Sequence, residues 1–240
     1  MKLTFIGTSH GVPESDRRCS CTMLQTGEKV YFIDMGTQAI EDLRRRGIAP
    51  ERVKGVFITH MHGDHVNGLL SFADICNWFF TDAQPQIFLP TREGADAVKG
   101  WICALDKRDY CRMDLRVTDE GVIFDDGTLR VTAVRTLHTR RSFAYFAETE
   151  GKTLLFTSDL KAVEEDYPRQ AFGKTLDAAV CESAHIHPAD YIPAFEKSNI
   201  KRVFITHIQP RKLAEARELK QTLEGVTPVF IPSDGDEYEI

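Results

Sequence analysis

The chain has 240 residues, of which 42% are hydrophobic and 28% charged, a balance that excludes a disordered or fibrous chain and suits a globular protein with a sizeable core. Its formal net charge of −6 counts against nucleic acid as a partner, because the broad basic face that tracks a phosphate backbone is missing from the total. No apolar run reaches the ~18–20 residues of a membrane span, so no membrane association is expected; the opening Met1–Gly7 is too short and too soon polar for a secretory signal, which makes the cytoplasm the expected compartment.

In chain order, Lys2–Ile6, Cys21–Gln25 and Lys29–Ile33 read as strands, the last two joined by a hairpin at Gly27-Glu28. Gln38–Arg46 reads as a helix stopped by Gly47, with Arg44-Arg45-Arg46 as a solvated end favoured by the helix dipole. Val53–Ile58 is an apolar strand and Gly68–Phe80 a helix. Phe72, Trp78, Phe79 and Phe80 on that helix read as core packing, with an apolar pocket wall or a dimer face as alternatives for its end. A strand at Gln86–Leu89 and a helix at Ala95–Leu105 follow.

The second half repeats the rhythm without repeating the sequence. Val122–Phe124, Leu129–Arg135, Phe143–Glu148 and Thr153–Phe156 read as strands with turns at Gly127 and Gly151. Asp177–Cys181 and Arg202–Ile205 are short apolar strands, Ala189–Lys197 and Lys212–Leu223 helices, and Val226–Ile231 and Glu237–Ile240 close the chain. With no linker or repeat, this pattern predicts a layered α/β fold in one domain over residues 1–240. The six cysteines, Cys19, Cys21, Cys76, Cys103, Cys111 and Cys181, read as reduced thiols. Cys19-Ser20-Cys21 is either half of a structural zinc site or a turn opening a strand.

The chemistry concentrates in Thr59-His60-Met61-His62-Gly63-Asp64-His65-Val66-Asn67-Gly68, just after the apolar run Val56–Ile58. Imidazole nitrogens with a carboxylate suit zinc, manganese or iron better than magnesium or calcium. A strand ending sends His60 and His62 to one side, since side chains alternate with period two. Gly63 then lets the backbone turn, bringing Asp64 and His65 within reach of a second ion.

This segment resembles the His-x-His-x-Asp-His signature of the metallo-β-lactamase superfamily, and the resemblance runs over nearly the whole chain through Gly7-Thr8, Asp34-Met35-Gly36, Leu137-His138-Thr139, Thr157-Ser158-Asp159 and Thr206-His207. It implies a four-layer αββα sandwich with the site along one edge of two sheets. It further implies two divalent ions: the first held by His60, His62 and His138, the second by Asp64, His65 and His207, with Asp159 bridging and Asp34 supporting the loop through hydrogen bonds. A bridging water deprotonated near neutral pH would be the nucleophile, oriented by Asp64 or Asp159. The proton donor to the leaving group is expected from Cys181–His187, with His185 and His187 as competing candidates.

The opening Gly7-Thr8-Ser9-His10-Gly11-Val12-Pro13 is similar to the start of phosphoribosyl cyclic phosphodiesterases and tRNA 3′-processing endonucleases, and a loop of small residues can approach an anion closely. Ser9, His10 and Arg140 are therefore candidate substrate-binding residues, and the pairs Arg17-Arg18 and Arg140-Arg141 candidate linings of the pocket mouth, against their reading as solvated surface pairs. His138 and Asp159 lie 21 positions apart (159−138), which leaves no room for the long basic arm of the tRNA-processing branch. A small cyclic or linear phosphodiester is thus the expected substrate, ahead of an RNA and of a thioester or lactone of the glyoxalase II type. The 33 residues after His207 (240−207) are too few for the helical substrate domain of the last group. A non-enzymatic metal-binding or scaffold role ranks below these, and a homodimer is compatible with the resemblance.

Overall fold

The computed structural model describes residues 1–105 and 112–240, so Cys111 lies outside the described residues. The first half carries β1 (Lys2–Gly7), β2 (Cys21–Thr26), β3 (Lys29–Met35), α1 (Ala39–Arg45), β4 (Val53–Phe57), α2 (Gly63–Trp78), β5 (Gln86–Leu89), α3 (Arg92–Leu105) and β6 (Asp114–Val117). The second carries β7 (Gly121–Asp125), β8 (Arg130–Thr136), β9 (Ser142–Thr149), β10 (Lys152–Phe156), α4 (Val163–Asp166), β11 (Thr175–Leu176), β12 (Ala178–Ser183), α5 (Ile192–Glu196), β13 (Asn199–Ile200), β14 (Val203–Ile208), α6 (Leu213–Thr222), β15 (Val229–Phe230) and β16 (Glu237–Glu239).

Two seven-stranded sheets result, ordered β16-β1-β2-β3-β4-β5-β6 and β15-β14-β12-β10-β9-β8-β7. Strand alternation decides which side chain meets which layer. On β1 and β3, Leu3, Phe5, Tyr31 and Ile33 turn toward the second sheet, where Phe143, Tyr145, Phe156 and Phe204 meet them. Phe5 and Phe204, one from each sheet, bring their ring centroids to 5.3 Å. The opposite parity, Ile6, Val30, Phe32 and Val56, packs under Leu43, Leu69, Phe72 and Val98 of α1, α2 and α3. On the far side Leu155, Cys181 and Ile205 pack under Phe195 and Leu219 of α5 and α6. The order of layers is helix, sheet, sheet, helix, as the resemblance implied.

Most predicted strands fall where the apolar runs put them, and several boundaries move for identifiable reasons. α2 begins at Gly63 rather than Gly68, because His62 stays extended at φ −69, ψ 145 and the helix starts on the next residue. α3 begins at Arg92 rather than Ala95, with the Gly94 amide donating to Thr91 Oγ1. The stretch predicted as one helix over Ala189–Lys197 is a 3-10 turn, Pro188–Tyr191, followed by α5. Of Val226–Ile231 only Val229–Phe230 pairs as a strand. β6, α4, β11 and β13 had no periodic signal strong enough to predict them.

Phe72 is in the core, while Trp78 and Phe79 are 54% and 70% exposed at the far end of α2. At ~1.5 Å rise per residue, Trp78 is roughly 20 Å along the helix from Asp64, too distant for the pocket wall considered above. The described cysteines carry free thiols, and Cys21 is buried in the helix-facing core of the first sheet. No helix among the described residues is long and apolar enough to cross a membrane.

Candidate metal centre

The site forms at the edge where the carboxyl ends of β3, β4, β8, β10, β12 and β14 meet. His60 and His62 lie on the extended segment that leaves β4, and Asp64 and His65 on the first turn of α2. The two candidate ligand pairs of the motif therefore come from two backbone states: period-two extension for the histidines and a helical turn for the carboxylate and His65. The positive end of the α2 dipole also favours the Asp64 carboxylate. Close packing aims this turn, since a Cβ on Gly36 would sit 1.7 Å from the Asp64 carbonyl oxygen. Only glycine is tolerated at that contact.

Two groups of donor atoms converge. In the first, His60 Nε2 and His138 Nε2 lie 3.0 and 3.3 Å from His62 Nδ1. In the second, His65 Nε2 is 3.3 Å from Asp64 Oδ2, and His207 Nε2 is 3.6 Å from the same oxygen. Asp159 stands between the groups: its Oδ1 is 3.5 Å from His65 Nε2, and its Oδ2 is 3.4, 3.6 and 3.8 Å from Nε2 of His207, His138 and His60. Every residue expected as a ligand is in this assembly. Nitrogens bound tetrahedrally at ~2.0–2.1 Å from one cation stand roughly 3.3 Å apart, which is the spacing observed.

The rings are turned so that their free nitrogens face inward. His65 Nδ1 donates to Asp34 Oδ2 at 2.8 Å, and the Thr59 amide and hydroxyl donate to the same carboxylate. His60 Nδ1 lies 3.1 Å from Thr59 Oγ1. His207 Nδ1 donates to the Ser9 carbonyl at 2.7 Å, with Ser20 Oγ equally close. Asp34 and His207 themselves occupy β-bulges. Asp34 is the residue skipped between the pairs Cys21–Met35 and Thr22–Ile33, and His207 the one skipped between Glu182–Thr206 and Ser183–Ile208. Their φ angles are 58° and 51°, in the left-handed region, and Ser158 beside Asp159 has φ 59°. A bulge re-aims one side chain without ending the strand, and such strained backbone concentrates at functional sites.

Burial and charge act together here. His60, His65, His207 and Asp159 are all 3% exposed or less. Burial, with the neighbouring His65, lowers the His60 pKa to about 2, so its nitrogen keeps a free lone pair; burial likewise lowers His138 to about 4. His65 moves the other way: burial opposes its charge, but Asp159 and Asp34 outweigh it and raise the pKa. His207 is raised against burial by Asp159. Asp159, despite burial, is held well below the usual carboxylate range by His207 and His65. His65 Nε2 and Asp159 Oδ1 are buried without a hydrogen-bond partner. They face each other at 3.5 Å as an ion pair without a hydrogen bond, an imidazole nitrogen and a carboxylate oxygen that a cation between them would engage, so the donor set fits a divalent metal.

The mouth sorts the remaining candidates. His185 Nε2 donates to Asp159 Oδ2 at 3.1 Å and its side chain is 46% exposed, at the boundary of site and solvent. His187 turns away and binds Glu215 Oε2 at 2.7 Å through Nδ1. Ser9 is buried and its hydroxyl donates to the Val12 carbonyl, so it contributes to the site through its own carbonyl on His207. His10 pairs with Glu14 at 3.0 Å. The loop they belong to lies over the second group, with a Cβ on Gly11 reaching 3.8 Å from Asp64 Oδ2. Arg140 is exposed at the turn after His138. Arg141 is committed to the carbonyls of Pro90 and Thr118, and Arg18 to Asp42 and Asp234, which makes both structural.

Three buried groups were not anticipated. Glu182 accepts the amides of Ala184 and His185 at 2.5 and 2.8 Å and that of Leu160 at 3.3 Å. Lys212 donates to the carbonyls of Ala184 and Ile186, pinning the His185 loop from its other side. Asp166 accepts the amides of Leu137 and Lys161. The two Glu182 bonds to Ala184 and His185 form a local turn, whereas its bond to Leu160 and those of Lys212 and Asp166 reach backbone brought close by the fold, contacts for which the chain carries no local signal. A cavity of about 40 Å³ lies behind the second group, lined by Asp34, His65, Asp159, Glu182 and His207, with room for a single water.

Comparison with known proteins agrees with this geometry. The family described as "Anti-Pycsar protein Apyc1" matches residues 1–182. Ribonuclease Z of Thermosynechococcus vestitus is 30% identical over 156 residues, covering 63% of this chain and 37% of that protein. Ribonuclease Z of Listeria monocytogenes is 30% identical over 210 residues, covering 85% and 68%. The first curated relatives are matched over about half their length or less, 37% to 48%. The metallo-β-lactamase fold protein YhfI of Bacillus subtilis superposes with a TM-score of 0.78 at 17% identity, over 100% of this chain and 99% of that one.

Proposed function

The chain belongs to the Apyc1-type family, within the phosphodiesterase branch of the metallo-β-lactamase superfamily, and from that membership we propose that it is a metal-dependent hydrolase of a small cyclic or linear phosphodiester. The observation that carries the reading is the pair of donor groups joined through Asp159, with His65 Nε2 and Asp159 Oδ1 left for a cation. His60, His62 and His138 would hold one ion, and Asp64, His65 and His207 the other, with Asp159 shared between them. Bound there, two divalent ions supply an acidified water and neutralise negative charge on the scissile phosphate.

The chain's own residues do the rest. Asp64 or Asp159 orients the attacking water by accepting its hydrogen bond. His185, half-exposed and hydrogen-bonded to Asp159, has its pKa raised by that bond, and it stands where it can deliver a proton to the departing alkoxide. The opening loop over Asp64 presents short residues to the phosphate, and Arg140 stands at the turn beside His138.

The relatives named ribonuclease Z favour a second reading, in which the phosphodiester belongs to an RNA chain, and they weigh against setting nucleic acid aside on net charge alone. The small-substrate reading is supported by the His138–Asp159 interval, which β9 and β10 fill with a tight turn at Glu150-Gly151.

The test is a substrate panel run separately with zinc and manganese: bis(p-nitrophenyl) phosphate, small cyclic phosphodiesters, a structured RNA, thioesters and lactones. Turnover of the small phosphodiesters is expected. Turnover of thioesters or lactones alone overturns the phosphodiesterase reading, and cleavage of RNA alone replaces it with the second.

A further inference from the structure

We infer that Asp166 is a positioning residue for the metal centre, setting the distance between His138 and Asp159; the inference rests on the reading of these two as ligands. Asp166 ends the short helix α4 and is 5% exposed. Its Oδ1 accepts the Leu137 amide at 2.7 Å and its Oδ2 the Lys161 amide at 2.9 Å. Leu137 immediately precedes His138, and Lys161 follows Asp159 by two residues. One carboxylate therefore spans the two segments that deliver these side chains, which meet at 3.6 Å.

Neither segment has regular structure to hold it. His138 lies in the turn between β8 and β9, and Asp159 in the loop after β10. On the other side of His138 the Thr139 amide donates to Ser142 Oγ at 3.1 Å, so the histidine is suspended between two clamped amides. In the first sheet Asp34 reaches its histidine ring directly, whereas Asp166 works one bond further out, on the backbone that aims the ring.

The opposite end of β10 supplies a comparison within the same chain. Asp177 accepts the Thr153 amide at 2.9 Å and the Lys201 ammonium at 2.7 Å, tying strand to loop in the same manner but remote from the site. A structural carboxylate should behave like Asp177. A positioning one should also change how the metal is held.

Asp166→Asn keeps the size but offers one acceptor oxygen, and its amide NH₂ faces the second backbone N–H. The purified Asp166→Asn and Asp177→Asn variants and the parent are titrated with Co²⁺ against a competing chelator, following the visible absorption of the bound ion. The expected result is a loss of affinity of about tenfold or more in Asp166→Asn, with a displaced absorption spectrum, and parental binding in Asp177→Asn. Equal affinity in Asp166→Asn and the parent overturns the inference, as does an equal loss in both variants. Backbone amide exchange in the parent tests the same link without a mutation. Residues 137–139 and 159–161 should exchange more slowly once the protein is loaded with Zn²⁺, because a clamp that supports the metal is supported by it in return; unchanged exchange overturns the inference. A parent that binds Co²⁺ but cleaves no phosphodiester refutes the proposed function and leaves the role of Asp166 standing.

Discussion

The Asp34 carboxylate lies 2.8 Å from Nδ1 of His65, and it also receives the amide and hydroxyl of Thr59. One residue on a bulge of β3 thus fixes the His65 ring and the exit of the strand that leads to His60 and His62. Replacing Asp34 with asparagine should preserve the fold but misalign His65, since the amide cannot accept all three donors. Metal affinity and kcat should each fall by roughly 10–100-fold. Equilibrium dialysis with metal analysis, beside steady-state kinetics, is the check; a variant with parental metal content and rate would remove Asp34 from the centre.

The two donor groups differ in charge and enclosure, so their ions should leave in sequence. His65 and His207 are buried with Nδ1 anchored, and Asp64 adds a carboxylate, whereas His62 is exposed and His138 half-buried. Dialysis against increasing chelator should strip the ion of the His60, His62 and His138 group first, with affinities differing by about tenfold or more. His62→Ala should then retain one tightly bound ion and His207→Ala should lose it. Loss of both ions in a single step contradicts this ordering.

Metal binding should also depend on pH in a definite direction. Burial opposes charging of His65 and His207, yet Asp159 and its neighbours raise both above 6.5, so in the metal-free protein each keeps its proton to a higher pH than a free imidazole. Their stabilising contribution is complete below pH 6.5 and is lost as pH rises through the raised values. Asp64 and Asp159 are lowered and stay ionised throughout that window. From pH 6.5 upward the metal-free Tm should therefore fall while the increment from added zinc grows, because binding must expel those protons. Thermal melts with and without zinc across this range decide it; an increment that shrinks with pH argues against the assigned ligands.

His185 and His187 make opposite predictions despite being two residues apart. His185→Ala should reduce kcat by about 10²–10⁴-fold, and most for substrates with a poor leaving group, if it delivers the proton. His187 binds Glu215 on the surface at 62% side-chain exposure, and His187→Ala should leave kcat within about twofold. A leaving-group series measured for both variants separates them. Equal losses for good and poor leaving groups in His185→Ala would indicate a role in binding instead.

What the chain alone determined was the chemistry of its densest segment and the layering of its fold. Four ligand-type side chains within six positions, from His60 to His65, carry their meaning locally, and apolar alternation such as Leu3, Phe5 against Thr4, Ile6 assigns faces without knowing the neighbour. His138, Asp159 and His207 were legible only through the superfamily resemblance, because a lone histidine after a strand has many meanings. The three-dimensional fold decided the rest. It turned His185 toward Asp159 and His187 toward Glu215. It also placed Asp34 and His207 on bulges, and set Asp166, Glu182 and Lys212 against backbone of other segments, Glu182 through the Leu160 amide. The physical reason is the same throughout. A side chain that bonds to backbone has no preferred partner residue type, and a bulge exists only between two strands, so neither leaves a periodic mark on one linear chain.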